Sequence, residues 1–256
     1  MVRGKRIIIN DEIFKKEYLS GKTHVELAKQ FDCSLNVISR KFKSLELNRI
    51  DKFPNCLPDK TKSLLYGTLM GDGYLNKGKK SKTARFGIFH CDKQRNYLDF
   101  KFNHLKNWIT TPVKVRISKF DNPKYLREEY IGYYFQTVAH PIFENLHKEF
   151  YTKGKKTITS NILNQIDDLA LAIWIADDGC FKYKQKYPCY TIATHCFSLE
   201  ENILIHNWFR NTYGIKSSIY FQANKPYLVI RGDSMRKLSS IIKPHMPNSM
   251  LYKVGE

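Results

Sequence analysis

The chain has 256 residues, a net charge of +19 and 42% hydrophobic residues. That length and apolar content support a folded core and exclude a disordered chain, and no apolar run approaches the ~20 residues of a membrane span. So much positive charge calls for an anionic partner. Nucleic acid comes first; an anionic membrane rests on charge alone, with no basic amphipathic helix behind it.

The basic start, Met1-Val2-Arg3-Gly4-Lys5-Arg6, is followed only by Ile7-Ile8-Ile9 before polar Asn10, which is not a signal peptide. Cys33, Cys56, Cys91, Cys180, Cys189 and Cys196 form no CxxC pair and fit no structural zinc spacing. Reduced thiols in an intracellular protein are expected, with bacterial or phage cytoplasm and organelle matrix both open. Met1 and the end Val254-Gly255-Glu256 carry no splicing residues, so an intein is not expected.

An N-terminal module is expected over residues 1–46. Asn10 or Asp11 caps a first helix with Ile13, Phe14 and Tyr18 that stops at Gly21. A second helix fits Thr23–Phe31, with Val25, Leu27, Ala28 and Phe31 apolar. After Asp32-Cys33-Ser34, a third fits Leu35–Leu45, with Ile38, Phe42 and Leu45 inward. This is either a helix-turn-helix or a plain three-helix bundle, and the charge favours the first. Asn36, Ser39, Arg40 and Lys43 then form the exposed DNA-binding face of the recognition helix. Pro54 and Pro58 mark residues 47–60 as a linker.

From residue 61 the chain runs twice through one pattern. Each copy opens with a helix ending in Asp-Gly: Leu64–Gly73 and Leu169–Gly179. A basic strand-like stretch follows, then His90-Cys91 or His195-Cys196. A Trp-bearing helix comes next (Asn96–Ile109; Glu200–Tyr213). Two strands (Val113–Phe120 and Tyr130–Thr137; Ser217–Gln222 and Tyr227–Arg231) and a closing helix (Pro141–Phe150; Ser234–Ile242) complete it. The expectation is an α+β fold, duplicated as α-β-β-α-β-β-α about a pseudo-two-fold axis, with repeats near 61–156 and 157–256. The His-Cys pairs read as equivalent strand positions rather than zinc ligands, and Trp108 and Trp208 as core.

Gly73 and Gly179 are expected to close the two helices in the left-handed conformation. Asp72 and Asp178 then lie at helix C-termini, where the dipole is already negative. Two such ends together require cations. Mg²⁺ suits carboxylates, backbone carbonyls and water, with Mn²⁺ as a substitute, and Gly71 and Asp177 complete the candidate metal set. Close helix approach is expected from Gly67 with Gly71 and from Ala172 with Ala176, pairs offset by one position when the motifs are aligned.

DNA contacts are expected from basic strands. Lys77, Lys79, Lys80, Lys82 and Arg85 crowd one stretch, and Lys182, Lys184 and Lys186 share one strand face opposite Tyr183 and Tyr187. Lys114, Arg116 and Lys119 in one half, and Lys216, Lys225 and Arg231 in the other, extend the surface.

Together the two segments resemble the paired motifs of single-chain LAGLIDADG homing endonucleases. They follow Leu-x-Gly-x-x-x-x-Asp-Gly at 65–73, with a variant at 171–179 in which Ile173 and Asp177 replace the family's Gly and Ala. Lys155-Lys156-Thr157, Lys243-Pro244 and Met250-Leu251-Tyr252-Lys253 are similar to the subgroup of the yeast mitochondrial omega-intron endonuclease, and the likeness covers about 61–254. It implies a pseudo-symmetric monomer that binds double-stranded DNA and cuts it with a divalent cation, leaving 5′ phosphates and short 3′ overhangs. Asp72 and Asp178 are implied as metal-binding catalytic carboxylates, and Lys156 and Lys253 as active-site lysines. The alternatives are an intron RNA maturase or a DNA-binding transcription regulator on the same fold; the intact acids and lysines argue against a dead nuclease.

Overall fold

The computed structural model describes residues 8–79, 81–119, 129–182 and 188–255. The chain divides into two compact units at Cys56/Leu57.

The first unit holds three helices: α1 (Asp11–Leu19), α2 (His24–Gln30) and α3 (Leu35–Ser44). The Asn10 side chain caps α1, and Thr23 and Glu26 form a reciprocal capping box on α2. Ile9, Phe14, Tyr18, Leu27, Ile38 and Phe42 make the core. Of the apolar residues on α1 and α2, Ile13 and Val25 lie outside it, 52% and 65% exposed. Asp32 sits between α2 and α3 at φ +46°, the left-handed turn position where glycine is common. Part of the expected 47–60 linker is folded with the first unit. Asn48 and Asp51 cap a 3₁₀ turn, Arg49–Lys52, and the Tyr18 hydroxyl donates to the Asn48 carbonyl at 2.9 Å. This stretch is therefore tied to the helices.

The second unit repeats one order of elements. The first half runs α4 (Asp59–Met70), β1 (Tyr74–Asn76), β2 (Arg85–Cys91), α5 (Arg95–Leu105), β3 (Lys114–Lys119), β4 (Glu129–Gln136) and α6 (Pro141–Phe150). A two-stranded hairpin, β5 (Tyr151–Thr152) with β6 (Lys155–Lys156), and a short α7 (Ser160–Leu163) lead to the second half. That half runs α8 (Asp168–Asp178), β7 (Gly179–Lys182), β8 (Cys189–Ile192), α9 (Leu199–Tyr213), β9 (Ser217–Gln222), β10 (Lys225–Arg231) and α10 (Gly232–Ile242). The sheets are antiparallel and share one strand order, β1-β2-β4-β3 and β7-β8-β10-β9. The expected duplication is present.

Alternation along each strand buries one sheet face. Phe86, Ile88 and Phe135 line it in the first half; Tyr190, Ile192, Leu228 and Ile230 line it in the second. Trp108 and Trp208 are buried, as expected.

Helices α4 and α8 pack on each other as the seam between halves. A Cβ on Gly67 would lie 2.2 Å from the Ala170 carbonyl oxygen and 2.9 Å from Ile173 Cβ. One on Gly71 would lie 2.5 Å from Asp177 Cβ. With Asp72 aligned to Asp178, Gly67 matches Ile173 and Gly71 matches Asp177, so residues related by the pseudo-two-fold face each other. The unequal motifs are complementary: a small residue of one meets a larger residue of the other. The contacts of the two glycines fall on Ala170, Ile173 and Asp177, rather than on the expected Ala172 and Ala176.

Candidate active site and nucleic-acid interface

Both Asp-Gly endings lie where α4 and α8 terminate. Gly73 and Gly179 are not left-handed; Gly179 is extended at φ −78°. The reason for glycine is space. A Cβ on Gly73 would lie 2.7 Å from Thr68 Cγ2, and one on Gly179 2.5 Å from the Ile175 carbonyl oxygen. The chain leaves each helix so close to its last turn that no side chain fits.

The expected lysines cap these helix ends. The β5–β6 hairpin turns through Lys153 and Gly154 at φ +51° and +78°, the pattern of a two-residue turn. It delivers Lys156, whose Nζ donates to the carbonyls of Gly71 at 2.9 Å and Gly73 at 2.7 Å. Lys253, at the end of a 3₁₀ turn, donates to the carbonyls of Ala176 at 2.5 Å and Asp177 at 3.0 Å. Helix ends leave carbonyls unpaired and partly negative, and an ammonium answers both. Burial pushes both ammonium groups below the usual lysine range, against the pull of the nearby aspartates.

Three carboxylates crowd the same place. The Asp72 side chain is 41% exposed, whereas that of Asp177 is fully buried. Burial pushes the Asp178 carboxyl up to about 8, helped by Asp177 and Asp72. Burial and then Asp177 raise Asp72 too. The charged forms of Asp72 and Asp178 are therefore disfavoured here until a further cation joins them, and oxygen donors suit a hard divalent ion. The residues fit such an ion. Of the expected metal set, the Gly71 carbonyl carries the Lys156 ammonium, and Asp177 is engaged by a lysine that the sequence did not single out.

That lysine is Lys101 on α5. It is wholly buried, and its Nζ lies 2.6 Å from Asp177 Oδ1 and 3.3 Å from His90 Nε2. His90 Nδ1 faces Asp72 Oδ2 at 3.6 Å. Asp72, His90 and Asp177 can present ligand atoms within 4.8 Å of one another. Lys101 escaped notice because a lysine in an amphipathic helix reads as solvated surface. The two His-Cys pairs are not at equivalent strand positions, contrary to expectation. If Gly73 matches Gly179, the strand registers match Ile88 to Ile192 and hence His90 to Thr194, not His195. His90 closes a strand facing inward, whereas His195 lies in a turn after β8 and stacks on Tyr227.

The exposed sheet faces sort the expected DNA contacts. Arg85, Phe89, Lys114, Arg116 and Tyr134 share the open face of the first sheet by register. Lys119 points to the opposite face and pairs with Glu129 at 2.9 Å. Lys182, Lys225 and Arg231 share the open face of the second sheet, where the Arg231 guanidinium donates to the Tyr220 hydroxyl at 2.6 Å. Lys216 is exposed just before β9. Lys77, Lys79 and Lys82 lie in the β1–β2 connection, not on a strand, and Lys77 pairs with Glu144 at 2.6 Å. Lys80, Lys184 and Lys186, with Tyr183 and Tyr187, lie outside the described residues. Asn36, Ser39, Arg40 and Lys43 are exposed on α3.

Two helices meeting at acidic ends beside two antiparallel four-stranded sheets of like strand order define a class, the duplicated α+β fold with one shared seam. A profile of the LAGLIDADG DNA endonuclease family matches residues 62–238, and the chain belongs to that family. It is 32% identical to the cytochrome b mRNA maturase bI2 of Saccharomyces cerevisiae over 210 residues, 75% of this chain. It spans about half, 47%, of that relative's length. The maturase of the same description from Debaryomyces hansenii is 30% identical over 75% of this chain and 72% of its own. Among solved structures, the homing endonuclease I-WcaI bound to its DNA recognition sequence superposes with a TM-score of 0.73 at 23% identity, covering 85% of this chain and 92% of that one. That likeness establishes the fold. Among the described residues no helix is long and apolar enough to cross a membrane.

Proposed function

We propose that this chain is a site-specific endonuclease that hydrolyses both strands of duplex DNA with a divalent cation, Mg²⁺ by preference and Mn²⁺ as a substitute. The observation that carries the reading is the convergence of Asp72, Asp177 and Asp178 beneath Lys156 and Lys253 at the seam of two like halves. Asp72 and Asp178 would hold the cation, which supplies an activated water and charge stabilisation at the scissile phosphate. Lys156 and Lys253 neutralise the helix ends and stand ready to stabilise charge developing on phosphate oxygens. The unequal halves favour an asymmetric target, cut by a single-chain monomer. Incubation with a randomised duplex library and Mg²⁺ should yield double-strand breaks at one enriched site. Intact DNA binding with no cleavage anywhere in the library would sink the reading.

Affinity would come from phosphate contacts on the two open sheet faces, joined by Arg40 and Lys43 of α3 acting as a helix-turn-helix. Changing Lys114, Arg116, Lys182, Lys225 or Arg40 to Ala should weaken binding and flatten the slope of log K against log salt by roughly one each. Fluorescence anisotropy across a salt series checks this, and an unchanged slope removes that residue from the interface.

A second reading, assistance to intron RNA splicing, is favoured by the two maturase relatives. Splicing that survives Asp72→Asn and Asp178→Asn would support it; absence of specific RNA binding would discard it.

A further inference from the structure

The buried Lys101 and His90 have no counterpart in the second half. The position matching His90 is Thr194, whose hydroxyl donates to Asn202 at 2.5 Å in a neutral buried pair. Among the described residues, the first half alone sets a helix lysine and an imidazole together against the carboxylates.

Two acceptors and one aromatic ring surround the Lys101 ammonium. One N–H reaches Asp177 Oδ1 at 2.6 Å and one reaches His90 Nε2 at 3.3 Å; the ammonium also lies over the Tyr97 ring, 4.2 Å from its centre. Tyr97 sits one turn earlier on α5, and its hydroxyl donates to the Ile173 carbonyl at 3.2 Å, one turn before Asp177 on α8. Helix α5 of the first half is therefore fastened to the motif helix of the second at two successive turns.

An ammonium only donates. His90 Nε2 must accept from it, so the imidazole proton resides on Nδ1, the atom that faces Asp72 Oδ2 at 3.6 Å.

We propose that Lys101 and His90 are positioning residues that link the two motifs. Lys101 anchors Asp177 of the second motif, and His90, its tautomer set by Lys101, presents Nδ1–H to Asp72 of the first. The chain Asp177–Lys101–His90–Asp72 spans the seam and sets the distance between carboxylates that must act together. It exists on one side only, so it distinguishes the two strand-cutting events. This rests on the endonuclease reading for its consequence, but its geometry can be tested without metal or substrate.

In the metal-free protein, long-range ¹⁵N–¹H spectra should show His90, identified by its loss in His90→Phe, as the Nδ1–H tautomer. Lys101→Met should shift it toward the Nε2–H form. A wild-type His90 protonated on Nε2 overturns the proposal. His90→Phe keeps the Lys101–Asp177 pair, so it should melt within a few degrees of wild type and bind DNA within about threefold in Ca²⁺. Its single-turnover cleavage in Mg²⁺ should fall tenfold or more, with a changed ratio of the two strand rates. Wild-type rates on both strands, or a loss explained wholly by weaker DNA binding, would reject the positioning role. If Lys101→Met fails to fold, the wild-type spectrum and His90→Phe still decide. A wild-type protein that cuts nothing overturns the endonuclease reading instead, and the spectrum alone then decides the tautomer chain.

Discussion

Asp178→Asn is expected to abolish cleavage and, at pH 8, to raise the thermal stability of the metal-free protein. Cleavage should drop by roughly 10³-fold or more, the scale of removing a preorganised charge-stabilising group. The stability gain follows from the burial that pushes the Asp178 carboxyl to about 8, aided by Asp177 and Asp72. In the unfolded chain an aspartate titrates near ~3.9. Between these values the folded protein holds a proton that the unfolded chain has released, so stability falls as pH rises through that window. Asparagine carries no charge and removes this slope. Wild type and variant should converge near pH 4 and separate most at pH 8. Calorimetry in EDTA from pH 5 to 8 measures it, and added Mg²⁺ should lift the wild type far more than the variant. A variant that melts well below wild type at pH 8 would show that Asp178 is an ordinary ionised partner in the fold.

Gly67→Ala should be among the most damaging changes available to a single methyl group. The new carbon would lie 2.2 Å from the Ala170 carbonyl oxygen and 2.9 Å from both the Ala170 carbonyl carbon and Ile173 Cβ. Two of those atoms are backbone of α8, which cannot turn aside like a side chain. Overpacking costs ~1–3 kcal/mol, occasionally more, and a rigid seam belongs at the upper end. For a unit of this size that lowers the melting temperature by roughly 6–12 °C. Spreading α4 from α8 also separates Asp72 from Asp177 and Asp178, so cleavage should fall with stability. Gly78→Ala is the control, because its Cβ would meet nothing nearer than 3.7 Å. Equal melting temperatures for the two variants would show that the helices move apart freely.

Much of this molecule was legible in order and spacing. The duplication, the α4 and α8 endings and the two trailing lysines are local patterns repeated along the chain, and repetition survives without knowledge of contacts. The first-half closing helix was read at its observed bounds, Pro141–Phe150, because a proline at its first position and an amphipathic run define it locally. The glycines after the aspartates were located correctly but for the wrong reason. Their role is the closeness of the returning chain to Thr68 and Ile175, which no dihedral preference announces.

What the sequence by itself determined was the two-fold plan and the order of Asp72, Asp178, Lys156 and Lys253 within it, since periodicity and charge reside in the chain. Only the tertiary structure decided which groups share one small volume. Burial of Lys101 against Asp177, the inward turn of His90 and the mismatch of His195 depend on strand register and on side chains of α5 reaching α8. A lysine is read as solvent-facing until packing removes the solvent, and pseudo-symmetric positions can be equated only once their hydrogen-bond partners are known.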